Sequence, residues 1–224
     1  MISRAGTLLA GLLTIVVISG CAPVVVDLSG SDHLVDRQTQ NPPERLDYKL
    51  VVLNRAPEPK MDQHLFGAST FPMRTTEKPK ETLEKDIKRF FDRLTTRTDD
   101  ERRIVARIDK AEAYWINPGV NTIPLVGMFT VWAANYPFIF DISVTFEVEE
   151  KGKVVQTYSF SQKVEIQDGN GSTPGGIEKS YQRIVTNYRK MLFDALELEF
   201  IPRYLSKPAP VKTSINKELG GRPL

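Results

Sequence analysis

The chain has 224 residues, of which 41% are hydrophobic, enough for the core of one domain or two small ones and too many for a chain disordered throughout. Its 30 basic and 28 acidic residues give a net charge of +2, which lacks the basic excess typical of nucleic-acid-binding proteins. One Cys and two His exclude a disulfide scaffold, a zinc finger and an iron–sulfur protein that uses its own thiolates. We therefore expect no metal site and no cofactor.

The N-terminal segment 1–21 has the order of a secretory signal. Arg4 is its only charged residue, an apolar run follows over residues 8–18, and the segment ends in small residues and Cys21. The apolar run is too short for a membrane-spanning helix, which takes about 20 residues. The segment therefore predicts an export signal over residues 1–20.

The last four residues of this segment, ISGC, resemble a bacterial lipobox. The resemblance implies cleavage between Gly20 and Cys21, a diacylglycerol thioether on Cys21 and usually an N-acyl chain as well. Each buried methylene contributes about 0.8 kcal/mol, so two or three acyl chains hold a protein firmly on a bilayer. Ala22, rather than Asp, follows the cysteine, which resembles the signal for sorting to the outer membrane. We expect a lipoprotein on the periplasmic leaflet of the outer membrane.

Composition divides the rest of the chain into three parts. Residues 22–46 are mostly polar and, with the lipidated Cys21, predict a flexible tether over 21–46, although a short strand at Val24–Leu28 is an alternative. Residues 206–224 are rich in Pro and Gly, without apolar periodicity, and predict a disordered tail. The folded domain is therefore expected over residues 47–205.

The first half of this domain contains three predicted elements. Tyr48–Leu53 is a compact apolar run that predicts a strand, and a long loop follows it. Apolar residues at helical spacing predict an amphipathic helix over 81–95. Arg103–Trp115 alternates with period two and shifts phase near Asp109, which predicts a strand with a bulge.

The second half of the domain predicts a hairpin and a helix. Phe138–Val148 and Val154–Ile166 alternate with period two and are joined by the turn EKGK, which predicts an antiparallel hairpin with one solvated face. A glycine-rich loop at 168–176 leads to a second amphipathic helix over Ile177–Leu198. The order β-α-β-β-β-α predicts an α+β two-layer sandwich, with a four-stranded, mainly antiparallel sheet and both helices on one face.

No residues are arranged for nucleophilic catalysis, so the sequence predicts a protein that is not an enzyme. His33 and His64 fall in predicted loops and are expected at the surface. An alternative is a peptidoglycan hydrolase that uses Glu147, Glu149 and Glu150 as acid and base. These carboxylates are, however, expected to be solvated on the wet face and turn of the hairpin, where no apolar pocket raises a pKa.

The segment 123–140 contains no charged residue. One interpretation is a buried loop and strand edge beneath the helices. The other is an apolar protrusion that contacts a protein partner or the bilayer surface, since aromatic side chains are common in both kinds of interface. The candidate partner-binding residues are Met128, Phe129, Trp132 and Tyr136.

The lipobox, the polar segment and the element order together resemble the small envelope lipoproteins of Gram-negative bacteria, most closely the YajG-like family. The resemblance spans residues 48–205 and lies in the helix ETLEKDIKRFFDRL, the strand RRIVARIDKAEAYW, the hairpin and the terminal helix. The lipopolysaccharide-assembly lipoprotein has a similar element order and is a second candidate. Both resemblances imply an accessory protein without catalytic residues that binds another envelope component, with a lipid or lipopolysaccharide carrier as a further alternative.

Overall fold

The computed structural model describes residues 23–36, 45–64, 67–96, 100–117, 135–168 and 174–205. The export signal predicted for 1–20, the lipidation predicted at Cys21 and the tail predicted for 206–224 lie outside these ranges.

Five strands form one sheet: β1 (Lys49–Asn54), β2 (Ser69–Pro72), β3 (Arg102–Asn117), β4 (Tyr136–Glu150) and β5 (Lys153–Asp168). The sheet order is β1-β3-β4-β5, and β2 pairs with the C-terminal end of β3. β1 runs parallel to β3, whereas the other three pairs are antiparallel. The α+β class is therefore confirmed, as is the mainly antiparallel sheet.

The predicted number of four strands is wrong, because β2 lies inside the segment that the sequence predicts to be a loop. This strand has four residues and ends in Pro72, so it is too short to show a period of two. The predicted bulge is confirmed, since the register between β3 and β4 shifts between Ile108 and Lys110.

Two α-helices accompany the sheet. α1 covers Pro79–Asp92, and α2 covers Pro174–Ala195 and continues as a π-helix over Leu196–Leu205. Proline suits the first turn of α1, where its missing N–H would have no helical partner. Within the described part of the chain, no helix combines the length and the apolar character needed to cross a membrane.

Both helices cover the same face of the sheet. Phe91 of α1 lies 6.0 Å from Phe146, and Tyr188 of α2 lies 4.8 Å from Phe140, measured between ring centroids. Residues an even number apart on a strand point to the same side, so Phe140 and Phe146 share one face of β4. The core lies between this face and the helices, while the odd-numbered residues of β4 form the outer face of the sheet.

Residues 23–36, which the sequence predicts to be part of a flexible tether, pack onto the domain. Val35 is 1% exposed, and a 3₁₀-helix covers Ser29–Leu34. The Val24 N–H donates to the Arg74 carbonyl over 2.8 Å. The tether prediction is wrong for this segment, because Val35 packs into the core and Asp32 and Asp36 form ion pairs with a distant arginine. The alternative strand at Val24–Leu28 is reduced to an isolated bridge at Val24.

The turn between β4 and β5 places two consecutive residues at positive φ, Lys151 at 50° and Gly152 at 76°. Such a turn follows the twist of the hairpin and favours Asn-Gly. We expect Gly152→Ala to lower the free energy of unfolding by about 1–2 kcal/mol, and Lys151→Asn to raise it by about 0.5–1 kcal/mol. Thermal unfolding of both variants checks this, and changes of the same sign would contradict it.

Candidate functional site

Tyr136 alone among the candidate partner-binding residues lies in the part of the chain that the structure describes. It follows the range 118–134, which lies outside the described residues, by two positions. It begins β4 and is 0% exposed. Its ring packs edge-to-face against Trp115, with 5.3 Å between the centroids. The prediction that Tyr136 contacts a partner is therefore wrong, because the residue continues the core-facing series of β4. Met128, Phe129 and Trp132 lie outside the described residues.

Glu147 and Glu149, predicted to be solvated, are only 8% and 9% exposed on the outer face of the sheet. Arg107 donates a hydrogen bond to Glu147, and the Arg103 Nε donates to Glu149 over 2.9 Å. Arginines on β3 and glutamates on β4 are close enough across the strands for their long side chains to cover one another. The prediction of solvated carboxylates is wrong at these two positions for that reason.

These carboxylates form cross-strand ion pairs. A general acid for glycan cleavage is a carboxyl kept neutral by an apolar pocket, whereas Glu147 and Glu149 each contact a guanidinium. Glu150, at the end of β4, likewise accepts a hydrogen bond from the Arg102 Nε over 3.2 Å. The three glutamates thus have structural partners on β3.

A buried ion pair joins the two helices. Arg189 of α2 donates from Nε and Nη2 to the two carboxylate oxygens of Asp86 on α1, over 2.8 Å each. Their side chains are 4% and 2% exposed. The Tyr188 hydroxyl also donates to Asp86. The two-pronged geometry is the strong form of a charge-assisted hydrogen bond and fixes the helices relative to one another.

The same arginine holds the N-terminal segment. Its Nη1 donates to the Leu28 carbonyl over 3.1 Å, to the Ser31 hydroxyl over 2.7 Å and to the Asp32 carboxylate over 3.0 Å. Gln182, seven residues before Arg189 and on the same face of α2, donates to the Asp27 carbonyl over 2.9 Å. Arg189 therefore links residues that are more than 150 positions away in the chain.

Arg89 of α1 and Arg93, the residue that follows α1, complete this attachment. Arg89 donates to Asp32 over 2.7 Å and also contacts the Asp36 carboxylate. Arg93 donates to the Asp36 carbonyl over 3.0 Å. We call the contacts of residues 27–36 with α1 and α2 the N-terminal clasp.

The two carboxylates that Arg189 contacts, Asp86 and Asp32, have pKa values shifted in opposite directions. Burial raises the pKa of Asp86, and the hydrogen bond from Arg189 only partly opposes that effect. Partial burial would also raise the pKa of Asp32, but there the hydrogen bonds and charges of Arg89 and Arg189 outweigh it and lower the pKa. Asp86 therefore depends more strongly than Asp32 on its contact with Arg189 to stay charged.

The sequence contains a signal for the clasp that composition alone does not reveal. Asp32 and Asp36 are four residues apart, and so are Arg89 and Arg93 at the end of α1. Helical residues four apart share a face, so the two pairs can meet if the segments lie side by side. No comparable pattern points to Arg189, because its partners lie on two distant parts of the chain, α1 and residues 28–32.

A cavity of about 280 Å³ opens beside the start of the described chain. Its wall includes Pro23, two residues after Cys21, together with Pro72 and Met73 at the end of β2. We call it the anchor-side cavity. The charged residues that line it are Glu58, Arg74, Lys78 and Lys80.

Glu58 contacts two of these cations. Its Oε1 lies 2.8 Å from the Lys80 Nζ and 3.0 Å from the Lys78 Nζ. The hydrogen bonds from Lys80 and Lys78 lower the pKa of Glu58. With one acidic and three basic residues, the lining has a net charge of +2.

No family model matches this chain, and no curated protein matches it. It is similar to a crystal structure of protein XCC0632 from Xanthomonas campestris, described as family-model DUF330, with 9% sequence identity and a TM-score of 0.39. The alignment covers 79% of this chain and 95% of that chain. A similarity at this level assigns neither a family nor a function.

Proposed function

We propose that this protein is a lipoprotein anchored at the periplasmic leaflet of the outer membrane through acyl chains on Cys21. Its domain acts as a non-enzymatic accessory factor that binds another component of the cell envelope, as the resemblance to small envelope lipoproteins implies. The lipobox ISGC supports the anchor, because it places the only cysteine directly after small residues and an apolar run.

The N-terminal clasp is the observation that carries this proposal. Val24, three residues after Cys21, already bonds to the domain, and the clasp holds the segment again at 27–36. An acyl group on Cys21 would therefore hold the domain against the bilayer at a defined face. Such an attachment suits a protein that presents one surface to a partner in the envelope.

Replacement of Cys21 by Ser is the direct test of the anchor. The variant has no thiol for the thioether, so we expect it to incorporate no radiolabelled palmitate and to keep its signal segment, which raises its mass. The unaltered chain is expected to incorporate label and to remain with the outer-membrane fraction. Labelling of the Cys21→Ser variant equal to that of the unaltered chain would contradict the proposal.

The partner is tested by photo-crosslinking in intact cells from Thr145 on the outer face of β4. That face is opposite the helices, and Thr145 is half-buried on it. Met191, an exposed residue of α2, is the matched position on the helical side. We expect a discrete crosslinked envelope protein from Thr145 and not from Met191. The absence of any product from Thr145 would remove support for this surface.

A further inference from the structure

The anchor-side cavity lies within reach of the lipidated residue. One residue of extended chain spans at most about 3.6 Å, so Val24 is within about 11 Å of the Cys21 α-carbon. Val24 forms backbone hydrogen bonds with Arg74 and Thr76, so the loop that follows β2 lies beside Val24. If Cys21 carries the acyl chains, this loop therefore lies against the headgroups of the bilayer.

The cavity has the size and chemistry of a headgroup site. Sites for drug-sized ligands have volumes of about 300–1,000 Å³, so a volume of about 280 Å³ suits a headgroup better than whole acyl chains. Arg74 and Lys78 are exposed at its rim, while Pro23 and Met73 contribute apolar wall. Arginine binds phosphate oxygens through two parallel hydrogen bonds, and lysine binds them as a point charge.

The charge balance of the cavity favours an anionic occupant. Glu58 contacts both Lys78 and Lys80, so a single carboxylate is shared by two ammonium groups. Arg74 adds a third positive charge to the lining. The lining therefore places a net charge of +2 where the anchor would bring the bilayer.

We propose that the anchor-side cavity binds the phosphate of an anionic phospholipid in the membrane that holds the anchor, through Arg74 and Lys78. This inference rests on the proposed function, because the acyl chains on Cys21 bring the cavity to the headgroups. Headgroup binding would add a second attachment on the face that the anchor holds against the bilayer.

The test uses the full acylated protein, purified from membranes and placed in nanodiscs of phosphatidylglycerol that contain a photoreactive-headgroup phosphatidylglycerol. We expect crosslinks to map to residues 72–80 and to fall at least fivefold in the double variant Arg74→Glu/Lys78→Glu. The control is Lys153→Glu/Lys163→Glu, which makes the same charge change on exposed residues of β5, at the opposite edge of the sheet. We expect the control to leave the crosslinks unchanged.

Three further results separate the possible outcomes. Equal capture by the unaltered protein and by Arg74→Glu/Lys78→Glu, or an equal loss in the control, would overturn the headgroup site. Loss of capture on addition of free glycerol phosphate at millimolar concentration would overturn the lipid as the source of the phosphate. Mass spectrometry of the same preparation reports the acyl groups on Cys21: if they are absent, the proposed function fails and the headgroup site with it.

Discussion

Replacement of Arg189 by Met is expected to lower the free energy of unfolding by about 3–5 kcal/mol. The variant leaves the Asp86 carboxylate buried without its guanidinium, and the desolvation cost of that charge is no longer offset. It also removes the hydrogen bonds to Leu28, Ser31 and Asp32 that attach the N-terminal segment. Urea unfolding at pH 7.5, followed by circular dichroism, measures the loss.

The matched control for this variant is Arg183→Met on the same helix. Arg183 has an exposed side chain, and its contact with Asp168 is 3.4 Å long, so its removal is expected to cost less than about 1 kcal/mol. Addition of Asp86→Asn to Arg189→Met removes the unpaired charge and should restore part of the stability. A double variant that is no more stable than Arg189→Met would contradict the role of the buried charge.

The loss in Arg189→Met is also expected to depend on pH. Burial raises the pKa of Asp86 in the folded protein, and without Arg189 this pKa rises further. A raised carboxyl pKa means that the folded state binds the proton more tightly than the unfolded state does. The stabilisation from protonation of Asp86 is therefore complete below the ordinary pKa of Asp, and it is lost as the pH rises through the folded-state pKa.

The difference in stability between Arg189→Met and the unaltered protein should consequently shrink as the pH is lowered from 7.5 towards 4. The largest slope that one such group allows is about 1.4 kcal/mol per pH unit. Urea titrations of both proteins at four pH values measure this slope. A difference that stays constant or widens on acidification would show that Asp86 is not the source of the cost.

The elements with a long periodic pattern could be predicted from the sequence. β4 alternates over more than ten residues, and every core-facing residue from Phe138 to Val148 is buried. α1 carries an apolar stripe that includes Leu83, Ile87 and Phe91, all of which pack inwards. Periodicity reports which side of an element meets the core.

The errors arise where an interaction depends on residues distant in the chain. Residues 23–36 belong to the mostly polar stretch 22–46, and composition cannot distinguish a solvated acidic segment from one held by Arg89 and Arg189. Glu147 and Glu149 fall on the predicted solvent side of the hairpin, yet β3 supplies arginines that cover them. In both cases the partner lies on another element, so only the tertiary arrangement reveals the pairing.

The end of the terminal helix is a third instance. The helix predicted from the sequence ends at Leu198, four residues before Pro202, which lacks the N–H that a helix interior uses. The chain instead leaves α-helical geometry after Ala195 and continues as a π-helix to Leu205. In this geometry Leu196, Phe200, Ile201 and Leu205 are all buried. The spacing of an α-helix would not place all four on one side.

Replacement of Phe200 by Ala tests whether this π-helix belongs to the core. The ring lies 5.3 Å from Phe146, 5.5 Å from Tyr158 and 6.4 Å from Phe91, so it joins the helices to β4 and β5. Removal of a buried Phe side chain leaves a cavity that the surroundings fill only partly. We expect the free energy of unfolding to fall by about 3–5 kcal/mol.

Leu198→Ala is the matched control, because Leu198 belongs to the same π-helix and is 77% exposed. Its loss is expected to change stability by no more than about 0.5 kcal/mol. Hydrogen exchange of residues 196–205 shows whether Phe200→Ala frees this segment alone or weakens the whole domain. Since Phe200 contacts β4, the centre of the sheet, we expect β4 amides to exchange faster as well. If Phe200→Ala lowered the free energy of unfolding no more than Leu198→Ala does, the core would be complete without the π-helix.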